Sequence, residues 1–198
     1  GLFGGTFDPI HIGHLILAQS LLEVGPLDRV VFIPSGIPPH KDQVVQAAAV
    51  DRLELVRRAI ASVPAFSVSE IEIQPSGSRY TVDTFSRHVE SAGAGEEFLW
   101  ILGADSVPNL PSWKSFRQLM EVGPFLVAAR EGFSPVQAQE LELPQHLRDR
   151  LAAGYRSTPV IEVSSRDIRQ RVAEGRSIRY LVPSTVAEGI AEKGLYRR

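Results

Sequence analysis

The run Gly4-Gly5-Thr6-Phe7-Asp8-Pro9-Ile10-His11-Ile12-Gly13-His14 concentrates residue types that bind anions. Paired glycines allow a sharp turn and let a ligand come close to the backbone. Gly13 takes away the side chain between two imidazoles. Leu15, Leu17, Ala18, Leu21 and Leu22 recur at helical spacing directly afterwards, and a helix N-terminus offers N–H groups and the positive end of its dipole. Two histidines at such a place can hydrogen-bond phosphate oxygens and stabilise charge that develops on them. The plain alternative is a βα turn with two half-exposed histidines. Their placement on either side of a glycine, straight after a Gly-Gly strand end, favours a phosphate site.

A second group is Ser164-Ser165-Arg166-Asp167-Ile168-Arg169. A serine at a helix N-cap bonds free N–H groups, and a helix N-terminus beside arginine suits a polyphosphate. Read structurally, the serines are only a cap and the arginines a solvated face. Asp105 follows Leu102-Gly103-Ala104 at a predicted strand end. There a carboxylate can accept from hydroxyl or amine donors of a ligand, Gly103 can let the ligand approach, and the alternative role is an N-cap. Trp113, at a loop-to-helix junction, can stack on an aromatic ring or simply fill a core.

Alternating elements must hold these groups. Strands are predicted at Leu2-Phe3, 30–33, 66–69, 98–102, 125–129 and 160–163, and helices over 14–24, 51–61, 81–91, about 113–121, 144–153, 166–173 and 184–193. Ile71 and Ile73 alternate with Glu70 and Glu72 like a half-exposed extension of the third strand. The segment from Ser35 to about Val45, with Pro38-Pro39, reads as a loop, Gly77 marks a turn, and 131–143 carries few signals. Continuous apolar strands separated by helices predict an α/β fold, a doubly wound, mostly parallel sheet covered on both faces, with a small C-terminal helical subdomain. The division expected is 1–163 for the α/β domain and 164–198 for the helical piece, forming one structural unit. Ligands in such folds bind beyond the carboxyl ends of the strands, where all the groups above are predicted to lie.

Composition removes several function classes. Lys and Arg number 21 against 23 Asp and Glu, a net charge of -2, so the basic excess of non-specific nucleic-acid binding is missing. The 198 residues suit a single domain, and no apolar run reaches the ~18 residues of a membrane span. With no cysteine, thiolate nucleophiles, disulfides and Cys-ligated zinc are excluded, and a reducing cytoplasm is the compartment expected. No signal-peptide pattern opens the chain, which starts inside a predicted strand, so further residues are expected ahead of Gly1. No self-complementary patch stands out to set an oligomeric state.

The first motif resembles the signature of the HxGH nucleotidylyltransferases, and nearly the whole chain is similar to the bacterial nicotinate-nucleotide adenylyltransferases. The likeness includes Pro38-Pro39-His40-Lys41, Gly77 with Tyr80-Thr81-Val82-Asp83-Thr84, Gly103-Ala104-Asp105-Ser106 with Trp113, Ser164 to Arg169, and Tyr180-Leu181-Val182-Pro183. It implies a Rossmann-like nucleotidylyltransferase fold and a reaction in NAD biosynthesis. ATP and nicotinate mononucleotide would give nicotinate adenine dinucleotide and pyrophosphate, by direct in-line attack of the substrate phosphate, with Mg²⁺ carried mainly by the ATP phosphates and no protein metal ligand. His11 and His14 would be catalytic. Gly4, Gly5, Thr6, Phe7, His14, Gly103, Asp105, Ser164, Ser165 and Arg169 would bind ATP, the helical piece completing that site. His40, Lys41, Tyr80, Thr81, Val82 and Trp113 would bind the mononucleotide, with the backbone N–H groups at 80–82 on the nicotinate carboxylate and Trp113 against the ring.

The chain departs from the family pattern in places. Val163 replaces an isoleucine and Arg166 a threonine of Ile-Ser-Ser-Thr-x-Ile-Arg; Arg79 stands where a serine is common, and Gln74-Pro75-Ser76 precedes Gly77 where a basic residue is common. These bear on the phosphate contacts and on the preference for acid over amide. An enzyme preferring nicotinamide mononucleotide therefore stays open, as does a non-catalytic nucleotide sensor. A pantetheine-phosphate adenylyltransferase usually has threonine at the position of His11 and lacks the Trp113 segment. Phosphate-loop, Gly-x-Gly-x-x-Gly, Gly-x-Ser-x-Gly and His-Glu-x-x-His motifs are absent from the sequence.

Overall fold

The structure, a computed structural model, describes residues 1–36, 46–74, 77, 80–129 and 135–197. Strands β1 (Leu2–Gly5), β2 (Val30–Pro34), β3 (Phe66–Val68), β4 (Trp100–Gly103), β5 (Phe125–Ala129) and β6 (Tyr155–Ser157) form one sheet in the order β3-β2-β1-β4-β5-β6. Every pairing is parallel, as the crossover helices require, and Leu2 stands opposite both Val31 and Trp100. The helices are α1 (Ile12–Val24), α2 (Ala49–Ile60), α3 (Thr81–Glu90), α4 (Phe116–Val122), α5 (Val136–Gln139), α6 (Gln145–Ala153), α7 (Ser165–Ala173) and α8 (Ser184–Glu192).

Alternation along each strand divides the core. Phe3, Phe32, Ile101 and Leu126 join Leu17, Leu21, Leu55, Ile168, Val186 and Ile190 on one face. Leu2, Ile33, Leu102 and Val127 join Phe85, Leu119, Leu147 and Leu151 on the other. The continuous apolar runs thus serve two cores, as a strand covered on both faces demands. Residues Ile168, Val182, Val186, Ile190 and Tyr196 bury themselves in the first core, so the C-terminal helices share it.

Three expectations are corrected. Residues 160–163 are not a strand: Pro159 has no N–H for a ladder, Val160 is exposed, and the Val163 N–H bonds Ile161 O at 2.9 Å in a three-residue turn. The sixth strand is instead Tyr155–Ser157, and the Thr158 hydroxyl extends its attachment by donating to Ala129 O at 3.0 Å. Ile71 and Ile73 do not prolong β3 either, because Ile73 N and Gln74 N both bond Glu70 O in a turn. Ala104–Ser112, read as a loop, forms a 3-10 helix that admits Pro108 and Pro111, and α4 starts only at Phe116.

Candidate active site

The order of the sheet reverses at β1, whose neighbours β2 and β4 leave toward opposite edges. A crevice opens beyond the carboxyl ends of strands at such a point, and the loop from β1 to α1 lines it. Phe7 adopts a φ of 47°, in the left-handed region that a non-glycine seldom occupies. Its buried ring stands edge-on to Phe3, at 5.5 Å, and to His14, at 5.0 Å. The glycines before it serve that packing: a Cβ on Gly5 would lie 2.9 Å from the Phe7 ring, and one on Gly4 would lie 2.6 Å from Trp100. At Gly4 and Gly5 the space a side chain would need is thus taken up by protein rings.

His11 precedes α1 and His14 lies in its first turn. The two imidazoles stack with centroids 3.7 Å apart and planes inclined by 25°. A Cβ on Gly13 would sit 3.1 Å from the His11 ring, so the glycine between them makes the stack possible. The His11 N–H donates to His14 Nδ1 at 3.3 Å. With Nδ1 acting as acceptor, the proton of a neutral His14 belongs on Nε2, which becomes a donor. Not all helix N–H groups remain for a ligand: Ile12 N bonds Leu181 O at 3.0 Å, while His14 N and Leu15 N bond His11 O.

Helix α7 reaches the same loop. Ser164 caps it by accepting from Asp167 N at 3.1 Å, as its place before the helix predicts. The Ser165 hydroxyl donates to Pro9 O at 2.8 Å, and Arg169 Nη1 donates to Asp8 O at 2.7 Å. Arg169 Nε is buried without a hydrogen-bond partner among the described residues. Arg166 points into solvent on the first turn.

Across the switch point, Gly103 ends β4 and leaves the room in which the Asp105 carboxylate sits, at the first turn of the 3-10 helix. Asp105 is exposed and its expected N-cap place is taken by Gly103. Trp113 follows that helix, half-buried, and its neighbour Lys114 places Nζ 4.6 Å from the centroid of the Tyr80 ring. Tyr80 is the N-cap of α3, so Tyr80, Thr81 and Val82 sit at a helix start beside the Trp113 segment. Beneath them the Thr84 hydroxyl donates to Glu72 Oε1 at 2.7 Å, and burial pushes the Glu72 carboxyl up to about 7. His40, Lys41 and Arg79 lie outside the described residues.

Three residues without a role in the sequence reading prove central. Asp8, 2% exposed, accepts from Gln46 N at 2.9 Å, Ala47 N at 3.2 Å and the Tyr196 hydroxyl at 2.8 Å, with Arg169 Nη1 3.8 Å away. Arg52, 1% exposed, donates to Thr6 O at 2.5 Å, Ser35 O at 2.6 Å, Gly36 O at 3.0 Å and Ala47 O at 3.2 Å. Burial lowers its pKa, against the raising influence of Asp8 and Tyr196. The guanidinium fork thereby ties the carboxyl ends of β1 and β2 to the start of α2. Asp8 had a signal, its place inside the first motif. Arg52 and Tyr196 had none.

Among the described residues, no group of three or more His, Cys, Asp or Glu side chains is placed to hold a metal ion, and no helix is long and apolar enough to cross a membrane.

The profile of the cytidylyltransferase-like family matches residues 2–171. A protein of Rubrobacter xylanophilus named "Probable nicotinate-nucleotide adenylyltransferase" is 45% identical, covering 100% of this chain and 91% of its own. One of the same name from Exiguobacterium sibiricum is 44% identical, covering 99% and 97%. In fold, the chain is similar to a nicotinic acid mononucleotide adenylyltransferase of Plasmodium falciparum complexed with NaAD, with a TM-score of 0.75 at 16% identity over 98% of this chain and 95% of that one.

Proposed function

Because the chain belongs to the cytidylyltransferase-like family and, within it, to the nicotinate-nucleotide adenylyltransferases, we propose that it transfers the adenylyl group of ATP to nicotinate mononucleotide. The products are nicotinate adenine dinucleotide and pyrophosphate, in NAD biosynthesis. The observation that carries the reading is the stacked pair of His11 and His14 at the end of the loop that follows β1, a loop whose Asp8 carbonyl accepts from Arg169.

The chemistry follows from what the site contains. A mononucleotide phosphate is an anionic nucleophile near neutral pH, so no side-chain base is required. Its oxygen forms a bond to the α-phosphorus of ATP as the bond to the bridging oxygen breaks, and pyrophosphate leaves with that electron pair. No covalent enzyme intermediate intervenes. The protein has to align the reactants and stabilise charge on the transferred group. His14 Nε2 and the His11 imidazole are the donors for that charge. Ser164, Ser165 and Arg169, with the backbone of Gly4, Gly5, Thr6 and Phe7, receive the triphosphate and nucleoside, and Gly103 with Asp105 receives the ribose or adenine. Tyr80, Thr81 and Val82 meet the nicotinate carboxylate at the positive end of α3, Trp113 stacks on the ring, and His40 with Lys41 meets the mononucleotide phosphate. Mg²⁺ arrives on the ATP phosphates as part of that substrate.

In this reading 1–163 is the transferase domain, 164–198 completes its ATP site within one structural unit, and the enzyme works in the cytoplasm. A coupled pyrophosphate-release assay with ATP and each mononucleotide tests it. Release with the acid and much slower release with the amide is the expected result; equal rates with both would overturn the substrate assignment.

A further inference from the structure

The loop 6–11 has no regular secondary structure and carries Phe7 in the left-handed region, yet it ends on the two stacked imidazoles. Something outside it must hold that shape. Three of the hydrogen bonds described above, from Gln46 N, Ala47 N and the Tyr196 hydroxyl, converge on one carboxylate, Asp8, and the donor of greatest sequence separation is Tyr196. Helix α8 ends with Gly194 at a φ of 61° and Leu195 N bonding Ile190 O at 3.0 Å, the pattern of a helix closed by a left-handed glycine. Tyr196 then takes a φ of 62°, a second left-handed residue and not a glycine. That turn sends its ring into the core shared with Phe3 and Phe7 and sets its hydroxyl 2.8 Å from Asp8 Oδ1. An unfavourable backbone conformation is thus retained where it delivers one hydrogen bond to the site loop.

We propose that Tyr196 is a positioning residue of the adenylyl transfer, acting through Asp8 to set the placement of His11 and His14. The phenol is a lasting donor, since burial foremost, and then Asp8, raise its pKa above the ordinary tyrosine value. Asp8 passes the restraint along the chain. Its main-chain carbonyl accepts from Arg169, the next carbonyl accepts from Ser165, and the buried Ile10 leads to His11. The end of the chain and the triphosphate-facing helix α7 therefore grip the same short loop from two sides. Small displacements of reacting groups cost large factors in rate, roughly a hundredfold for about 1 Å.

The inference rests on the adenylyltransferase reading, and one of its two readouts does not need turnover. Tyr196→Phe removes the hydroxyl alone. Its kcat with ATP and nicotinate mononucleotide should fall about tenfold or more, with KM for ATP changed by no more than about twofold. In imidazole-resolved NMR of the ligand-free protein, the His11 and His14 cross-peaks should move while those of His88 and His146 stay. Asp8→Asn should lose at least as much rate, and the double variant should be no slower than Asp8→Asn, because both changes cut one path. Unmoved His11 and His14 cross-peaks, or rate losses that multiply in the double variant, would overturn the inference. A wild-type protein that releases no pyrophosphate would instead overturn the adenylyltransferase reading, leaving the NMR comparison to judge Tyr196.

Discussion

The rings of His11 and His14 lie face to face, 3.7 Å between centroids, with nothing but hydrogen at Gly13 beside them. Residues three apart share one side of a helix start, so the spacing His-x-Gly-His converts two side chains into one donor surface. The stack is held from behind by the Phe7 edge on His14 and by the hydrogen bond from His11 N to His14 Nδ1. With Nδ1 accepting, Nε2 is the nitrogen on which a neutral His14 carries its proton.

That geometry predicts the behaviour of His14→Ala. Loss of a donor aimed at developing charge typically lowers turnover by ~10²–10³-fold. In the proposed reaction ATP is also held by Arg169 and α7, so the ATP dissociation constant should change far less than kcat. Single-turnover rates and calorimetric titration with ATP separate the two; equal losses in both would reduce His14 to a binding contact.

Gly13→Ala and Gly4→Ala should fail in different ways. The first places a methyl 3.1 Å from the His11 ring, an end of a side chain that can yield by rotating out of its stack. Activity should fall about tenfold or more while the melting temperature barely changes. The second drives a methyl to 2.6 Å from Trp100, which is buried between neighbouring strands. Overpacking of that kind costs ~1–3 kcal/mol, so the loss should show in denaturant unfolding.

Arg52→Leu removes a donor to four carbonyls, Thr6, Ser35, Gly36 and Ala47, all bonded to one guanidinium. Buried acceptors left unpaired cost ~1–3 kcal/mol each when they cannot reach water. Urea unfolding should show a loss in that range. Arg52→Lys should recover little, because an ammonium lacks the planar fork that reaches acceptors in several directions.

These residues show which parts of the site a sequence can disclose. Strands β2, β4 and β5 announce themselves because burial on both faces leaves continuous apolar runs, as in Phe125-Leu126-Val127-Ala128-Ala129. Strand β6 does not: Tyr155, Arg156 and Ser157 form a short, partly exposed strand at the sheet edge, whereas Val160, Ile161 and Val163 imitate one. The placing of His11, His14 and Ser164 at helix starts is legible because capping and turn chemistry act over a few residues. Asp8 and Tyr196 meet across 188 positions, and Arg52 reaches Thr6 across 46, so no local periodicity encodes either contact. Gly4 and Gly5 are legible as glycines, but that Trp100 and Phe7 fill the space they leave is a fact of packing.

Glu72 gives the pH dependence a definite sign. Its folded pKa is about 7 against an ordinary 4.5, because burial outweighs the Thr84 hydrogen bond that favours the charged form. Below pH 4.5 both folded and unfolded chains hold the proton, and this group leaves stability unchanged. Between about 4.5 and 7 the unfolded chain releases it while the folded chain keeps it, so stability falls as pH rises; above about 7 both have released it and the loss is complete. The full effect is on the order of 3 kcal/mol. Glu72→Gln keeps the shape and an acceptor for Thr84 but cannot ionise, so its stability should lack that fall. Urea unfolding at pH 5 and pH 8 should show wild type losing stability relative to the variant, with the variant the more stable of the two at pH 8. A difference of the opposite sign would mean that Glu72 is held charged in the folded protein.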